Sequence, residues 1–421
     1  MQRIGSITPQ ETLPILEANS IFFYRNKMEY SFSDARWITN TEVETGTTIS
    51  NKNALGFHKP GMWDKVLQID QCHLQTEPGN TIRNFIKQEA ERLNIPFFNP
   101  RQQTGMLRTL LIRISSTGQI MVLLQFFYED KHLQDSLLEA IAKKFPEIQA
   151  LLDTINNKVN DTLYDLNIQT YYGKSYIEET MEGLKFRVNA KSFYQTNSAQ
   201  AYTLYKVVRQ FAALSGQERV YDLYTGTGTI ALFLASKASH IIGVEAVPDA
   251  ITAAKENAHN NNIKNTTFIV GDMKKVFTDK FIQENGFPDV VVTDPPRDGM
   301  HADVVNQLLK IKPKKIVYVS WDDKELGKIR IASSRGGKGK VISKQPGKYI
   351  EPSFSPDGKT VVYRKISGGY ISDPVWGLNP GIYAVSSKGG EPKLVTESGV
   401  QPHFGARNDR IYVIRQGEKT Q

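Results

Sequence analysis

The sequence predicts an α/β protein. A doubly wound parallel sheet, truncated after its fifth strand, follows an α+β domain and precedes an all-β fragment. Short β-branched runs alternate with amphipathic helical stretches between about residues 190 and 320, which is typical of a parallel sheet covered by helices. Strand-like runs dominate the preceding residues, and Gly, Ser, Pro and Lys dominate those after about 325. We therefore expect three domains, over residues 1–185, 186–320 and 321–421.

The first domain is predicted to hold an antiparallel sheet with covering helices. The stretch "LRTLLIRISSTGQIMVLLQFFYED" contains two strand-like runs that meet at "SSTGQ", so it predicts a hairpin. The stretches "NTIRNFIKQEAERLNI" and "LQDSLLEAIAKKFP" have the spacing of amphipathic helices. An antiparallel sheet with one face covered by helices is the simplest arrangement that buries these apolar residues.

The second domain begins with a predicted helix, "KSFYQTNSAQAYTLYKVVRQFAALSG", and continues as alternating strands and helices. Its five predicted strands lie in the segments "RVYDLYTGTGT", "HIIGVEAV", "NTTFIVGDM", "PDVVVTDPP" and "KKIVYVS". The sheet should continue past the fifth strand with a further helix and strand, but the sequence changes character there. We therefore expect the fifth strand to form an edge with uncovered apolar surface.

The third domain contains an internal repeat. "IRIASSRGGKGKVIS…IEPSFSPDGKTVVYR" aligns with "IYAVSSKGGEPKLVT…VQPHFGARNDRIYVI" at an offset of about 50 residues, which is a propeller-blade period. Asp357 and Gly358 are predicted to form a hairpin turn. The segment "IEPSFSPDGKTVVY" resembles the repeat of TolB-like propellers. Its length suffices for about two blades, whereas a closed propeller needs typically 4–8.

Composition points to a cytoplasmic protein. No stretch approaches the roughly 18 apolar residues of a membrane span, and the N-terminus does not have the pattern of a secretory signal. The single cysteine, Cys72, argues against an internal disulfide and against a multi-cysteine metal site. The chain has 52 basic and 44 acidic residues. Residues 321–421 contain 17 basic and 10 acidic residues, so residues 1–320 contain 35 basic and 34 acidic residues and are nearly neutral. Net charge therefore does not by itself predict nucleic-acid binding by residues 1–320.

Four loops that follow the predicted strands carry the candidate ligand-binding residues. Gly226 and Gly228 in "YDLYTGTGT" allow close approach of a ligand to the backbone at a helix N-terminus. Glu245, at the end of the next strand, is placed to accept hydrogen bonds from ribose hydroxyls. Asp272 and Asp294 follow the third and fourth strands, where Asp272 can accept from an adenine amino group. Because these strand ends share one edge, we expect a single crevice that binds S-adenosylmethionine (SAM).

The motif "DPPRDG" narrows the predicted substrate. Pro295 and Pro296 hold an extended backbone beside the expected methyl donor. Arg297 follows them, where motifs of this kind usually carry an aromatic residue. A guanidinium suits a carbonyl oxygen or an enolate that develops on a base. The alternative for Arg297 is a surface ion pair with a neighbour such as Asp298.

Residues 1–320 resemble the RNA 5-methyluridine methyltransferases of the RumA and TrmA type. The matching segments are "FYRNKMEYSFS", "GFHKPGMWDKVLQIDQCHLQ", "GMLRTLLIR", "FRVNAKSFYQTNSAQAYTLY", "YDLYTGTGTIAL" and "VTDPPRDGMH". The resemblance implies a Rossmann-like SAM-dependent methyltransferase core, an RNA-binding role for residues 1–185, and ribosomal or transfer RNA as substrate. It also implies SAM contacts for Gln195, Tyr224, Glu245 and Asp294, with Asp272 fitting less closely. Arg297 would contact the target uracil.

The sequence departs from that family at the residues that carry the reaction. In the family, a cysteine follows "YVS", and its thiolate adds to C6 of uracil so that C5 can accept the methyl group. Trp321 occupies this position. No segment after it resembles the family's ending, which holds the general-base glutamate. Cysteines that bind an iron–sulfur cluster in many members are also missing, so we expect no such cluster. Cys72 lies in the first domain, where we expect a buried structural side chain.

Three functional hypotheses follow. The chain is a SAM-dependent methyltransferase that acts on C5 of uridine in RNA, and it is inactive as written because Trp321 replaces the nucleophile. Alternatively, it binds SAM and RNA without catalysis, as the retained Gln195, Glu245 and Asp294 suggest. In the third hypothesis it is a propeller-type interaction module attached to a degenerate enzyme. The abrupt change near residue 320 further predicts a fusion of two reading frames.

Overall fold

The computed structural model describes residues 11, 13, 16–46, 51–59, 62–296, 299–319, 330–333, 336–342, 348–366 and 380–414. The chain forms two compact units, residues 1–320 and residues 321–421, and each is described separately. Within the described residues, none of the helices combines the length and apolar character needed to cross a lipid bilayer.

A seven-stranded sheet forms the first half of residues 1–320. In chain order its strands are β1 (Lys27–Ser33), β2 (Ala54–Lys59), β3 (Met62–Gln68), β4 (Leu107–Ile114), β5 (Ile120–Phe126), β6 (Ile148–Ile155) and β7 (Gln169–Gly173). The spatial order is β3-β2-β1-β4-β5-β6-β7. As predicted, β4 and β5 form an antiparallel hairpin. Unlike the predicted antiparallel sheet, β5 and β6 run parallel, because a helix connects them.

Two helices cover one face of this sheet, α2 (Gly79–Arg92) and α3 (Lys131–Lys144), of which α3 connects β5 to β6. A short helix, α1 (Asn40–Glu44), lies between β1 and β2 in the chain. Asp130 begins α3, since its Oδ1 accepts a hydrogen bond from the Leu133 N–H at 3.1 Å. The apolar stripes of α2 and α3, including Ile86 and Leu137, lie fully buried in one core with the sheet. Cys72 belongs to the same core and is 4% exposed.

Gly105 marks a point where two backbone segments of this half nearly touch. Its φ is +87°, and an added Cβ would lie 2.1 Å from the carbonyl oxygen of Phe97. Gly118, in the β4–β5 turn, has a similar φ of +79° but has open space around it. We expect Gly105→Ala to lower the free energy of unfolding by about 2 kcal/mol more than Gly118→Ala. Urea unfolding of both variants measures this difference, and equal losses would contradict it.

The second half of residues 1–320 begins with a hairpin and a helix. The hairpin consists of β8 (Tyr176–Met181) and β9 (Leu184–Asn189), and the helix is α4 (Ser198–Ala212). The helix is shorter than the predicted stretch of residues 191–216. It starts where Asn197 Oδ1 accepts from the Gln200 N–H at 3.0 Å, and it ends where Ala213 adopts a left-handed φ of +47°.

A five-stranded parallel sheet follows, as the sequence predicted. Its strands are β10 (Arg219–Leu223), β11 (His240–Glu245), β12 (Thr266–Val270), β13 (Val290–Thr293) and β14 (Lys315–Tyr318), in the spatial order β12-β11-β10-β13-β14. The connecting helices are α5 (Thr229–Leu234), a 3₁₀ turn (Ala235–Lys237), α6 (Pro248–Asn260), α7 (Met273–Val276), α8 (Asp279–Asn285) and α9 (Ala302–Ile311). The strand order reverses direction at β10, so the crevice beside β10 is where open α/β sheets bind ligands.

The strand β14 lies at one edge of this sheet. Among the described residues, β13 is its only partner strand. Ile316 and Tyr318 on this strand are 46% and 50% exposed, and Leu309 on α9 is 66% exposed. This arrangement agrees with the predicted edge and its uncovered apolar surface.

The described part of residues 321–421 is entirely β-structure. Its strands are β15 (Arg330–Ser333), β16 (Gly336–Val341), β17 (Lys348–Phe354), β18 (Thr360–Ile366), β19 (Gly381–Ser386), β20 (Lys393–Thr396), β21 (Val400–Phe404) and β22 (Ile411–Ile414). Strands β17 to β20 form one antiparallel sheet in chain order, and the other four strands form two hairpins. Gly358, with a φ of +68°, lies in the turn between β17 and β18. A four-stranded meander is the arrangement of a propeller blade, and no closed propeller is present among the described residues.

Candidate functional site

The candidate site lies at the carboxyl ends of the parallel strands. The register aligns these ends, because Leu223 pairs with Val244 and with Thr293, and Val244 pairs with Ile269. Each strand therefore delivers its following loop to the same edge of the sheet. Tyr224, Gly226, Glu245, Asp272 and Asp294 all lie in these loops or at these strand ends.

The glycine turn after β10 has an unusual backbone. Tyr224 adopts a φ of +64°, and Gly226 and Gly228 have φ values of +55° and +78°. A Cβ on Gly226 would have nothing within 4 Å, whereas one on Gly228 would lie 3.0 Å from both Ala254 Cβ and the Phe268 ring. The backbone at Gly226 is therefore open to a ligand. Gly228 also allows the turn to pack against α6 and β12, and its predicted contact with a ligand stays a prediction.

Glu245 connects the glycine turn to the next loop. Its Oε2 accepts a hydrogen bond from the Gly226 N–H at 3.2 Å, and its Oε1 accepts one from the Val247 N–H at 3.0 Å. Each carboxylate oxygen has a second lone pair. The side chain is half-buried, so it can still accept hydrogen bonds from the hydroxyls of a ribose.

Asp272 and Asp294 follow the third and fourth strands, on either side of the glycine turn and Glu245 in the strand order. Asp272 is exposed, and its Oδ1 accepts from the Lys274 N–H at 3.0 Å, so it caps α7. Burial raises the pKa of the Tyr224 phenol, and the nearby Asp272 carboxylate adds to the shift. Asp294 is half-buried, and its backbone N–H donates to the Leu223 carbonyl at 3.3 Å. Both acids therefore lie beside the turn, and Asp272 also has a structural role.

Asp222 is a residue of this site that the sequence analysis did not select. It is 1% exposed, and its Oδ2 accepts from the Thr225 hydroxyl at 2.5 Å. The pKa of the Asp222 carboxyl is raised to about 7, mainly by burial and also by the negative charges of Asp294 and Glu245, while hydrogen bonds from the Thr225 hydroxyl and the Ala231 backbone oppose the shift. The sequence does contain a feature that could have indicated Asp222: it is an acidic residue inside the apolar run "VYDLY", directly before a glycine turn.

Gln195 lies outside these loops, between β9 and α4. Two side chains hold its segment, one from Asn26 directly before β1 and one from Arg113 in β4. Asn26 Nδ2 donates to the Gln195 carbonyl at 2.9 Å, and Arg113 Nη2 donates to the Ser192 carbonyl at 2.6 Å. Burial lowers the pKa of Arg113 to about 10. Helix α4, which follows Gln195, places Tyr205 close enough to Asp294 for that carboxylate to raise the Tyr205 pKa, although burial is the larger cause. The segment of Gln195 therefore adjoins both halves of residues 1–320.

Two predicted positions lie outside the described residues. They are Arg297, the expected uracil contact, and Trp321, the expected nucleophile position. Cys72 is buried in the core of the seven-stranded sheet, where its N–H donates to Asn80 Oδ1 at 2.7 Å. In the part of the chain that the structure describes, no group of three or more His, Cys, Asp or Glu side chains is arranged to hold a metal ion.

Comparison with known proteins identifies the family. A model of a methyltransferase domain matches residues 214–342. The chain is 50% identical over 349 residues to an uncharacterised RNA methyltransferase of Bacteroides thetaiotaomicron. The aligned residues cover 82% of this chain and 76% of that relative. This chain belongs to the RNA methyltransferase family. A second uncharacterised RNA methyltransferase, of Porphyromonas gingivalis, is also 50% identical, over 76% of this chain and 70% of the relative.

A solved structure agrees with the fold of this RNA methyltransferase. It is the Pyrococcus abyssi tRNA (uracil-54, C5)-methyltransferase in complex with S-adenosyl-L-homocysteine. The two proteins are 26% identical, with a TM-score of 0.58, over 72% of this chain and 68% of the other. The predicted α/β fold and the predicted SAM dependence are thereby confirmed.

The residues present fit SAM as the cofactor. The open backbone at Gly226 leaves room for a ligand, and Glu245 is already fixed by two N–H groups with lone pairs to spare. Bound SAM supplies an electrophilic methyl group on a sulfonium centre. The chain's own contribution is to fix the turn around Gly226 before a ligand arrives, which reduces the ordering cost of binding.

Proposed function

We propose that this RNA methyltransferase belongs to a lineage that methylates C5 of uridine in ribosomal or transfer RNA. The solved relative that acts on a tRNA uracil at C5 is the observation that carries this proposal. The motif "VTDPPRDGMH" supports it, because it places Asp294 and the two prolines at the tip of β13, beside the glycine turn.

We assign cofactor binding to the loops at the carboxyl edge of the parallel sheet. The proposed SAM-binding residues are Gln195, Tyr224, Gly226, Gly228, Glu245, Asp272 and Asp294, with Gly228 acting through packing. Glu245 is the proposed ribose acceptor, since its two oxygens already face the loops on either side. Arg297 is proposed to contact the target uracil. In this scheme residues 1–185 bind RNA and residues 186–320 form the catalytic core.

We further propose that the chain as written binds SAM and RNA without turnover. In the reaction of the resembled family, a thiolate bonds to C6 of uracil, and a base later removes the C5 proton so that the thiolate can leave. Trp321 stands where the thiolate is required, and its indole has no ionisable thiol or comparable nucleophile. The only cysteine, Cys72, is buried in another part of residues 1–320.

RNA that contains 5-fluorouridine tests this proposal, because fluorine at C5 blocks release of the enzyme. We expect no covalent RNA adduct on a denaturing gel, while isothermal titration calorimetry detects binding of S-adenosylhomocysteine. Trp321→Cys alone should not restore formation of 5-methyluridine, because the general-base segment and the end of the sheet are still missing. Cys72→Ser is the matched control for any adduct that does form. Formation of 5-methyluridine by the unmodified chain would contradict the proposal.

We propose separately that residues 321–421 are a propeller-type fragment of about two blades joined to the enzyme by fusion. The boundary between the compact units at 320/321 and the four-stranded meander support this origin. The match to the methyltransferase model, however, continues to residue 342. Sequencing the source DNA across codons 300–340 tests the junction. A gene that runs from "YVS" into a cysteine-containing ending would overturn the fusion.

A further inference from the structure

A cavity of about 370 Å³ lies within residues 1–320, and none of the strand-end loops of the parallel sheet lines it. Four segments line it: the segment before β1, Thr76 before α2, the end of β4 with the turn after it, and the first turn of α4. We call it the Arg25 cavity. Its volume falls in the range of small-molecule sites. Among the described residues that line it there is no Asp or Glu, and Arg25 is the charged one.

Asn26 forms the floor of the cavity and is 8% exposed. Its Nδ2 donates to the Gln195 carbonyl at 2.9 Å and to the Ser198 hydroxyl at 2.8 Å, and its backbone N–H donates to the Thr196 carbonyl at 2.8 Å. Its Oδ1 is buried and accepts no hydrogen bond from any residue that the structure describes. A buried acceptor of this kind is costly unless something donates to it. Because this oxygen is fully enclosed, Asn26 fixes the segment of Gln195 beside the cavity and does not itself contact a ligand.

Arg25 and Phe23 also line the cavity. The Arg25 backbone is fixed by its N–H bond to the Leu74 carbonyl at 2.8 Å, and its Nε is buried without a partner among the described residues. Phe23 is 48% exposed, and its ring packs edge-on against His73 with centroids 6.1 Å apart. The half-exposed Phe23 ring can provide a stacking surface, and the Arg25 guanidinium can bind a phosphate.

The remaining lining groups suit recognition of a base and a ribose. Asn19 and Asn197 carry amides, and Ser115 and Ser116 carry hydroxyls. Amides can pair with the Watson–Crick edge of a base, and hydroxyls can pair with a ribose 2′-OH. The first turn of α4 adds the positive end of a helix dipole on the same side. Together with Phe23 and Arg25, these groups can contact the base, the ribose and the phosphate of a nucleotide.

We propose that the Arg25 cavity binds one unpaired nucleotide of the substrate RNA. An enzyme that modifies a base takes it out of the stack, so a second site that holds a neighbouring nucleotide keeps the displaced strand in place. Asn26 lines this cavity and donates to the Gln195 carbonyl, so a nucleotide bound here would adjoin the segment of one proposed cofactor-binding residue. The inference rests on the RNA-directed role of the chain but not on which base or carbon is methylated.

Binding of a fluorescein-labelled, random-sequence, single-stranded 12-nucleotide RNA to the full chain tests the proposal. We expect Phe23→Ala and Arg25→Gln each to raise Kd by about fivefold or more, which corresponds to loss of one stacking or phosphate contact. The matched controls are Phe287→Ala, with a ring 66% exposed elsewhere on the surface, and Arg92→Gln on α2, and they should change Kd by less than twofold. Phe23→Leu, which keeps the apolar contact with His73, provides a second variant if Phe23→Ala does not fold.

Photo-crosslinking locates the bound nucleotide. The same RNA with 4-thiouridine should crosslink to the tryptic peptide of residues 4–25, which contains Phe23 and Tyr24. Unchanged Kd in the cavity variants, crosslinks only to other peptides, or no RNA binding by the unmodified chain would each overturn the proposal. Binding of S-adenosylhomocysteine is measured in parallel. Its loss counts against the proposed function, whereas the Arg25 cavity is decided by the RNA data alone.

Discussion

Replacing Glu245 with alanine should weaken binding of S-adenosylhomocysteine by about 100-fold or more. Two hydrogen bonds from ribose hydroxyls to a carboxylate contribute about 1.5 kcal/mol or more each, and about 3 kcal/mol corresponds to a 100-fold change in Kd. The substitution also removes the acceptor that holds the Gly226 and Val247 N–H groups. Isothermal titration calorimetry of the purified full chain measures this effect.

Glu256→Ala is the matched control for this substitution. Glu256 is an exposed glutamate on α6, which begins three residues after Glu245. It should leave both Kd and the circular dichroism spectrum unchanged. Glu245→Gln adds a finer test, because glutamine keeps one acceptor oxygen but places an amide donor near the loop N–H groups. Binding by Glu245→Ala that equals binding by the unmodified chain would remove Glu245 from the proposed cofactor site.

Replacing Asp222 with asparagine should stabilise the parallel sheet at pH 8 by up to about 4 kcal/mol. The pKa of this carboxyl is raised from 3.8 to about 7 in the folded protein. Between these values the folded state keeps a proton that the unfolded state has lost, so stability falls as pH rises from about 4 to about 7 and stays low above. A difference of about three pKa units corresponds to about 4 kcal/mol. Asparagine carries no charge to bury and can still accept from Thr225.

Amide hydrogen exchange of peptides from β10 and β11 measures this prediction. The unmodified chain and Asp222→Asn are compared at the same pH, so the intrinsic exchange rate cancels. At pH 8 the variant should protect these strands more strongly, and at pH 5 the difference should shrink. Asp249→Asn, at an exposed acid in the first turn of α6, is the matched control. Equal protection at both pH values would show that Asp222 does not hold its proton.

The sequence was sufficient to predict the parallel sheet and the edge that carries the site. Short β-branched runs such as "DVVVT" have few alternatives to a buried strand, and a loop must follow each strand end. Glu245 and Asp294 could be located for that reason. The roles of the two glycines could not be separated, because a glycine pattern does not reveal what a missing Cβ would meet. Only the packed structure distinguishes the open Gly226 from the enclosed Gly228.

Other features depended on contacts between distant segments. Asn26 lies 169 residues before Gln195 in the chain, and no local pattern links them. The parallel pair β5–β6 was missed because a helix between two strand-like runs suits either direction until the packing is known. Asp222 was missed because its importance comes from complete burial beside two other acids, which the amino-acid pattern does not state. Arg297 and Trp321 stay predictions.

The exposed side of β14 has a practical meaning for protein engineering. This strand pairs with β13 on one side, and among the described residues no strand pairs with the other. The backbone N–H and C=O groups along a strand at the edge of a sheet can pair with an added strand, and here the exposed Ile316 and Tyr318 lie on the same strand. It is therefore the natural attachment point for a grafted β-hairpin. A designer who wishes to complete or cap this methyltransferase sheet should begin there.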